Sequence, residues 1–356
     1  MTERDSKRAR LDALLDAHEL DEVVLRDPAN LAWYLGGARV HVVALEDAAI
    51  LEVAVRRTGE ELRTSVIEAP RLLAEELAAD APPLRALPWW QPLGAGGDQH
   101  AAARGSDVPR AGERDVRGDL VAARSVLTDP ELERYRALCR DTAAAAGAAL
   151  RDAGTEESEF AVAARAAGGL LHRGIEPLVM LVAGEDRLPL HRHPLPTAAR
   201  LGTRAMLVAC GRRHGLVSAV TRMRAFTPLT PAERATYESL LGVEAAFLNA
   251  TRPGARIGDI VAAGAAAYAQ HGFAADEWQA HHQGGPIGYA TRDYLASPAT
   301  DHVARDRQAF AWNPSGGGFK VEDIVLAADG GVEVLGPDPE WPAIAAGGRQ
   351  RPDVLA

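Results

Sequence analysis

Four segments with helical hydrophobic spacing, at about 129–153, 156–173, 231–251 and 256–271, flank runs of strand-forming residues in the last two-thirds of this chain. The first two carry long alanine-rich faces. Thr128-Asp129-Pro130-Glu131 gives the first of them a start signal, with proline near the first turn and acids beside it. Strands are predicted at 178–183, 204–210, 215–220, 308–312, 319–326 and 332–335. Helix pairs that alternate with strands suit an α+β architecture in which helices cover one face of a sheet.

Residues 1–93 read as a smaller α/β unit. Leu11, Leu14, Leu15 and Leu20 mark an opening helix, strands are predicted at 22–26, 41–45 and 48–55, and a further helix is centred on 71–79. The glycine- and charge-rich segment 94–118 has no hydrophobic period and reads as a linker or long surface loop. The expected division is therefore 1–118 and 119–356, in keeping with about 150 residues per domain.

A net charge of −10 argues against nucleic acid as a partner, because such a protein needs a basic footprint. No run approaches the roughly 18–20 apolar residues of a membrane span, and the charged opening MTERDSKRAR shows no secretory signal. Cys139 and Cys210 form no disulfide framework and lie in apolar stretches, as expected of reduced thiols in a cytoplasmic protein. Among 39 basic residues only Lys7 and Lys320 are lysine, which singles out Lys320 within the body of the chain.

Several ordered motifs carry a family resemblance. LGTRAMLVACGRRHGLVSAVTRMRAF (201–226) resembles the signature hairpin of the pita-bread enzymes, which include aminopeptidase P, prolidase, methionine aminopeptidase and creatinase; Gly202, Gly215, Thr221 and Arg222 fall in register with it. RPGARIGDIVAAGAAAYAQHGF (252–273) resembles the family's Pro-Gly helix entry, and FKVEDIVLAADGGVEVL (319–335) its closing strands. DPANLAWYLGG (27–37) resembles a segment of the creatinase-type N-terminal domain. The fold so implied is a pita-bread domain preceded by a smaller creatinase-like α/β domain.

In the metal-using members, two Asp, one His and two Glu hold a pair of divalent cations. Carried over by the resemblance, the first Asp falls on Val208, the second on Ala219, the His on Gly285 and the first Glu on Asn313; only the last Glu survives, as Glu322. A dinuclear site needs about four carboxylates to offset two dications, and hard cations demand oxygen ligands. No bound metal and no other cofactor is therefore expected.

The loss resembles creatinase, which cleaves a C–N bond without metal by means of a histidine placed before the signature hairpin. PLHRHPLPT (189–197) occupies that place, and spacing leaves His191 and His193 both open as the catalytic histidine, with Glu322 beside it. A neutral imidazole suits proton transfer at physiological pH. His281 and His282 form a second cluster, of which strand alternation admits one to the pocket. Gly284-Gly285-Pro286 would bring bare backbone close to a ligand. Arg292, with Tyr289 nearby, suits a carboxylate clamp, the alternative being an exposed ion pair with Asp293. Asn313 offers an uncharged donor and acceptor. Lys320 and Glu322 should share one strand face, so Lys320 or Arg292 supplies the positive charge that metals no longer bring. Arg39, with His41, is the counterpart of the arginine that in creatinase reaches the pocket across a domain or subunit boundary.

These features imply a metal-independent, creatinase-like enzyme acting by histidine acid–base chemistry on a small polar amide, amidine or guanidino acid. A catalytically inactive relative binding a peptide or small ligand is the alternative, and a conventional metallo-aminopeptidase the third. The creatinase resemblance also implies a homodimer.

Overall fold

The computed structural model describes residues 2–43, 49–94 and 103–356. The chain forms two compact units, Met1–Arg124 and Ser125–Ala356. In the first, α1 (Glu3–Ala17) starts from a reciprocal Thr2–Asp5 capping box and buries Leu11, Leu14 and Leu15. It is followed by β1 (Glu22–Leu25), α2 (Pro28–Tyr34), β2 (Leu51–Arg56), β3 (Gly59–Ser65), α3 (Ala69–Arg71), β4 (Leu84–Leu87), β5 (Arg104–Ser106), β6 (Arg114–Asp115) and α4 (Arg117–Arg124). The six strands make one sheet in the order β4-β3-β2-β1-β5-β6.

Three expectations for this unit need correction. The strand at 41–45 does not form over its described part: Val42 and Val43 are exposed in bends, where their β-branched side chains have no packed face to favour a strand, and 44–45 lie outside the described residues. The helix centred on 71–79 is only the short α3 and one wide turn over Leu72–Glu76, closed by Leu77 N–H donating to the Leu72 carbonyl. Leu72 is buried but Leu73 is exposed, so no apolar stripe exists to carry a longer helix. Part of the segment 94–118, expected as a linker, belongs to the sheet. β5 lies parallel to β1, and a Cβ on Gly105 would come within 2.7 Å of Leu20 and 3.1 Å of Val116, so the missing side chain is what admits the strand.

The second unit runs through α5 (Asp129–Arg151), α6 (Glu159–Leu171), β7 (Glu176–Gly184), β8 (Arg204–Arg213), β9 (Leu216–Ala225), α7 (Pro231–Ala250) and α8 (Ile257–Gln270). It continues through β10 (Gly284–Ile287), β11 (Ala309–Trp312), β12 (Ser315–Gly316), β13 (Phe319–Lys320), β14 (Ile324–Ala328), β15 (Gly331–Val334), β16 (Ala343–Ala346) and β17 (Arg349–Pro352). β7-β8-β9 form one antiparallel sheet and β10-β11-β14-β15 another, while β12–β13 and β16–β17 are separate pairs. The four long helices thus stand where their periodicity predicts.

Each helix pair buries a face in its own core. Ala143, Ala146 and Leu150 of α5, with Val162 and Ala166 of α6, pack on Val182, Leu207 and Val220. The small alanines let the helices lie close to the sheet. α7 and α8 close a second core over Phe310, Trp312 and Val325. There Gly264 is needed for contact, because a Cβ would come within 2.2 Å of the Phe247 ring. Among the described residues no helix is long and apolar enough to cross a membrane.

Charge is buried beside this second core. Arg351 meets both Glu244, with one bond of 2.7 Å, and Asp323 at 3.0 Å, and Asp323 also accepts from Arg222 at 2.9 Å. All four side chains are buried. Removing Arg351 would strand Glu244 in the interior and leave Asp323 with Arg222 alone. Arg351→Met is expected to cost about 3–5 kcal/mol in urea unfolding, and Glu244→Leu in the same chain to recover part of it. A loss below about 1 kcal/mol for the single change would show that the network carries no such burden.

Candidate active site

The strand expected over 319–326 is broken into β13 and β14, and the site lies at the break. Between them Val321 N–H donates to the Pro314 carbonyl at 3.1 Å, and the Glu322 carbonyl accepts from Thr221 N–H of β9 at 2.9 Å. The break thus ties this stretch to the signature hairpin. Asp323 is held by Arg222 and Arg351, whereas Glu322 faces other partners. Lys320 Nζ is 2.9 Å from Glu322 Oε2, Arg292 Nη2 donates to Oε1 at 2.7 Å, and Thr221 Oγ1 adds a 3.2 Å bond. Burial raises the pKa of Glu322, but Lys320 and then Arg292 outweigh it and draw the group down to about 2. Lys320 and Arg292 therefore both supply the compensating charge, and the alternative pairing of Arg292 with Asp293 is not the one formed.

The histidine cluster stands beside this clamp. His193 lies on the segment between β7 and β8, which Glu159 at the start of α6 pins at both ends. Glu159 Oε1 accepts from Gly184 N–H at 2.9 Å, and Oε2 from Thr197 N–H at 2.9 Å. His193 Nε2 is 3.0 Å from His281 Nε2, and the His282 ring centroid is 5.3 Å from that of His193. Spacing alone leaves His191 and His193 both open; His193 joins the cluster, while His191 is exposed on the same loop, with its N–H on the Arg187 carbonyl. The expectation that only one of His281 and His282 faces this way is also corrected. Both precede β10 in irregular chain, so strand alternation does not govern them.

Burial is the main influence on all three imidazoles. It takes His281 down to about 2, with Lys320 and the neighbouring rings adding to it, and His282 to about 4, with Arg292 adding most. His193 is lowered by burial and then by Lys320. All three are neutral at pH 7.

Residues without a sequence signal complete the surroundings. Ser315 Oγ lies 3.0 Å from His281 Nδ1 and accepts from Arg192 at 3.2 Å, and Arg192 in turn pairs with Glu277 at 2.5 Å. Tyr268 Oη bonds the Gln283 side chain at 2.9 Å and accepts from Ser315 N–H at 3.1 Å. Cys210 of β8 is opposite Ala219 and is a free, buried thiol, raised to about 12 by burial and then by Glu322, hence unreactive.

The remaining candidates have the following surroundings. Tyr289 is buried, and its hydroxyl donates to Glu131 Oε1 at 2.7 Å, helping to hold the start of α5. The Gly284-Gly285 pair serves strand packing, because a Cβ on Gly284 would come within 2.0 Å of the Ala311 carbonyl oxygen. Arg39 belongs to the first unit, where it is exposed and donates to Glu76 at 2.6 Å. Asn313 is buried with its N–H on the Gln283 carbonyl at 3.2 Å. Among the described residues its Oδ1 has no partner, and neither do His282 Nδ1 and Arg292 Nε.

A carboxylate-held metal pair does not fit this donor set. Val208 and Ala219 are buried apolar residues, Asn313 is an amide, and Glu322 is already paired with two side-chain cations. Lys320→Met should raise the apparent pKa of Glu322 in a carboxylate-resolved NMR titration, and an unchanged value would remove Lys320 from the clamp. The imidazoles carry a second expectation. Their folded pKa values lie below the unfolded value of about 6.5, so below that pH the unfolded state binds more protons. Stability should be full above pH 6.5 and decline between 6.5 and 4.5, read as a falling urea midpoint; a flat profile there would contradict the neutral cluster.

Comparisons with known proteins bear on the fold and the family. The protein named "Putative dipeptidase YkvY" of Bacillus subtilis (strain 168) is 26% identical over 185 residues, 49% of this chain and 50% of its own length, so the match spans about half of that relative. The prolidase from Pyrococcus horikoshii OT3 superposes with a TM-score of 0.79 at 17% identity, covering 93% of this chain and 98% of its own. The Xaa-Pro dipeptidase from Bacillus anthracis gives 0.77 at 16%, covering 94% and 98%. At such identities these two establish the pita-bread fold alone. The sequence profile of metallopeptidase family M24 matches residues 133–333, more than half of the chain, and the chain belongs to that family.

Proposed function

We propose that this M24 member is a metal-independent, creatinase-like enzyme that uses histidine acid–base chemistry on a small polar C–N substrate: an amide, amidine or guanidino acid. The observation that carries the reading is Glu322 in contact with Lys320 and Arg292, which balances its charge with side chains where relatives use dications. Two cations against one carboxylate leave the pocket with a net positive charge while its imidazoles are neutral. That favours a substrate bearing a carboxylate.

Within this reading His193 is the catalytic base and acid. It is exposed, neutral, and oriented by His281, so it can take a proton from water or substrate and return it to the leaving nitrogen. The unpartnered Asn313 Oδ1 accepts from a substrate N–H, and Arg292 Nε–H donates to a substrate oxygen. Hydrolysis, elimination and cyclisation all use such a proton shuttle. The working unit in this reading is a cytoplasmic homodimer. The alternative, an inactive relative that binds a peptide or small ligand, draws support from the apolar Val208 and Ala219, which provide no second carboxylate for hydrolysis.

A panel of small amides, amidines, guanidino acids and dipeptides, incubated with chelator-treated protein and followed by mass spectrometry, separates these readings. Turnover that survives chelation and falls about 10²–10⁴-fold in His193→Asn is expected. The acid limb of kcat/KM should lie below pH 6.5, because the pKa of His193 is lowered. Turnover only of dipeptides, and only with added metal, would overturn the proposal. Binding without turnover, unaltered in His193→Asn, would favour the binder.

A further inference from the structure

Three imidazoles converge from two segments of the chain, and their neighbours do not account for all their nitrogen atoms. One ring nitrogen from each of His193, His281 and His282 lies within 4.8 Å of the other two. His193 Nε2 and His281 Nε2 are 3.0 Å apart, and His282 Nδ1 is buried with no partner among the described residues. We propose that His193, His281 and His282 hold one divalent transition-metal ion of the imidazole-preferring class, such as Zn²⁺, Co²⁺ or Ni²⁺. This site differs from the family's carboxylate-held pair in its residues, its donor chemistry and its number of ions.

The geometry is close to what such an ion needs. Nitrogens at about 2.0–2.1 Å from a tetrahedral ion lie roughly 3.4 Å from one another, so shifts of about one ångström complete the set. Ser315 already orients one ligand. With its proton on Nδ1 toward Ser315 Oγ, the His281 ring presents the Nε2 lone pair to the ion. Arg192, donating to the same Ser315 oxygen at 3.2 Å, fixes that support in turn. His193 is the exposed member and gives the ion its way in, and three protein ligands leave a fourth position for water or a ligand atom.

The donor set also selects the ion. An all-nitrogen set suits Zn²⁺, Co²⁺ and Ni²⁺ and not Mg²⁺ or Ca²⁺, which require oxygen. Lys320 and Arg292 occupy the Glu322 carboxylate and Arg192 that of Glu277, so neither is free to hold a second ion. The inference stands apart from the acid–base reading. An ion on His193 takes the lone pair which that reading assigns to catalysis, so one bound equivalent suppresses such turnover while binding itself is measured without any substrate.

The test is Co²⁺ titration of tag-free, chelator-dialysed full-length protein, followed by calorimetry and by visible absorption. One Co²⁺ per chain is expected, with the intense ligand-field bands of a four-coordinate ion and displacement by Zn²⁺. His193→Gln, a change at an exposed position that spares the fold, should weaken binding about 100-fold or more, and Ser315→Ala about 10–100-fold. His191→Gln, outside the trio on the same loop, should leave affinity unchanged. No binding, two ions per chain, unaltered affinity in His193→Gln, or equal loss in His191→Gln would each overturn the proposal.

Discussion

The second unit is organised around a buried carboxylate that two side chains keep ionised. Withdrawing a carboxylate from water costs several kcal/mol even after relaxation. One adjacent cation returns roughly 4 kcal/mol at an effective dielectric near 20. A single neighbour therefore about breaks even, and Glu322 has both Lys320 and Arg292. Its neighbour Asp323 is treated the same way by Arg222 and Arg351, and Arg351 is shared with Glu244. The closing strands are thus joined to the signature hairpin by the Asp323–Arg222 ion pair and by the Thr221 hydroxyl on Glu322. In the reading proposed above, Lys320 and Arg292 stand where metal-using family members have dications.

This substitution bears on the histidines. With Lys320 and Arg292 nearby, and His281 and His282 withdrawn from solvent, charging an imidazole is unfavourable, and the trio stays neutral. Neutral rings retain the lone pairs that proton transfer and metal ligation both require. Glu159 pins the loop that carries His193, and Ser315 orients His281, so the cluster is assembled by polar anchors outside it.

Much of the fold was legible because α5 to α8 are long and strongly periodic, and their caps, such as Thr128 with Glu131, are local in sequence. The site was legible where spacing and chemistry coincide. Lys320 and Glu322 are two residues apart on a strand-like stretch, and lysine is so scarce that both copies, Lys7 and Lys320, prove to be buried beside a glutamate. What could not be read depended on tertiary partners. Tyr289 looked like a ligand contact because nothing in its surroundings announces Glu131, 158 residues earlier. Gly284 looked like clearance for a ligand, yet the space it frees is filled by the next strand. Ser315 carries no motif and acts only because Arg192 and His281 meet there. The alternation rule failed for His281 and His282 because it describes a strand and they precede one.

The central claim, that side-chain cations have taken the place of the dinuclear metals at Glu322, is tested most directly by crystals soaked in Mn²⁺ and examined by anomalous diffraction. The account predicts Glu322 still bonded to Lys320 and Arg292, with no manganese peak at its carboxylate. A pair of manganese peaks bridged by Glu322, with Lys320 and Arg292 displaced, would contradict it.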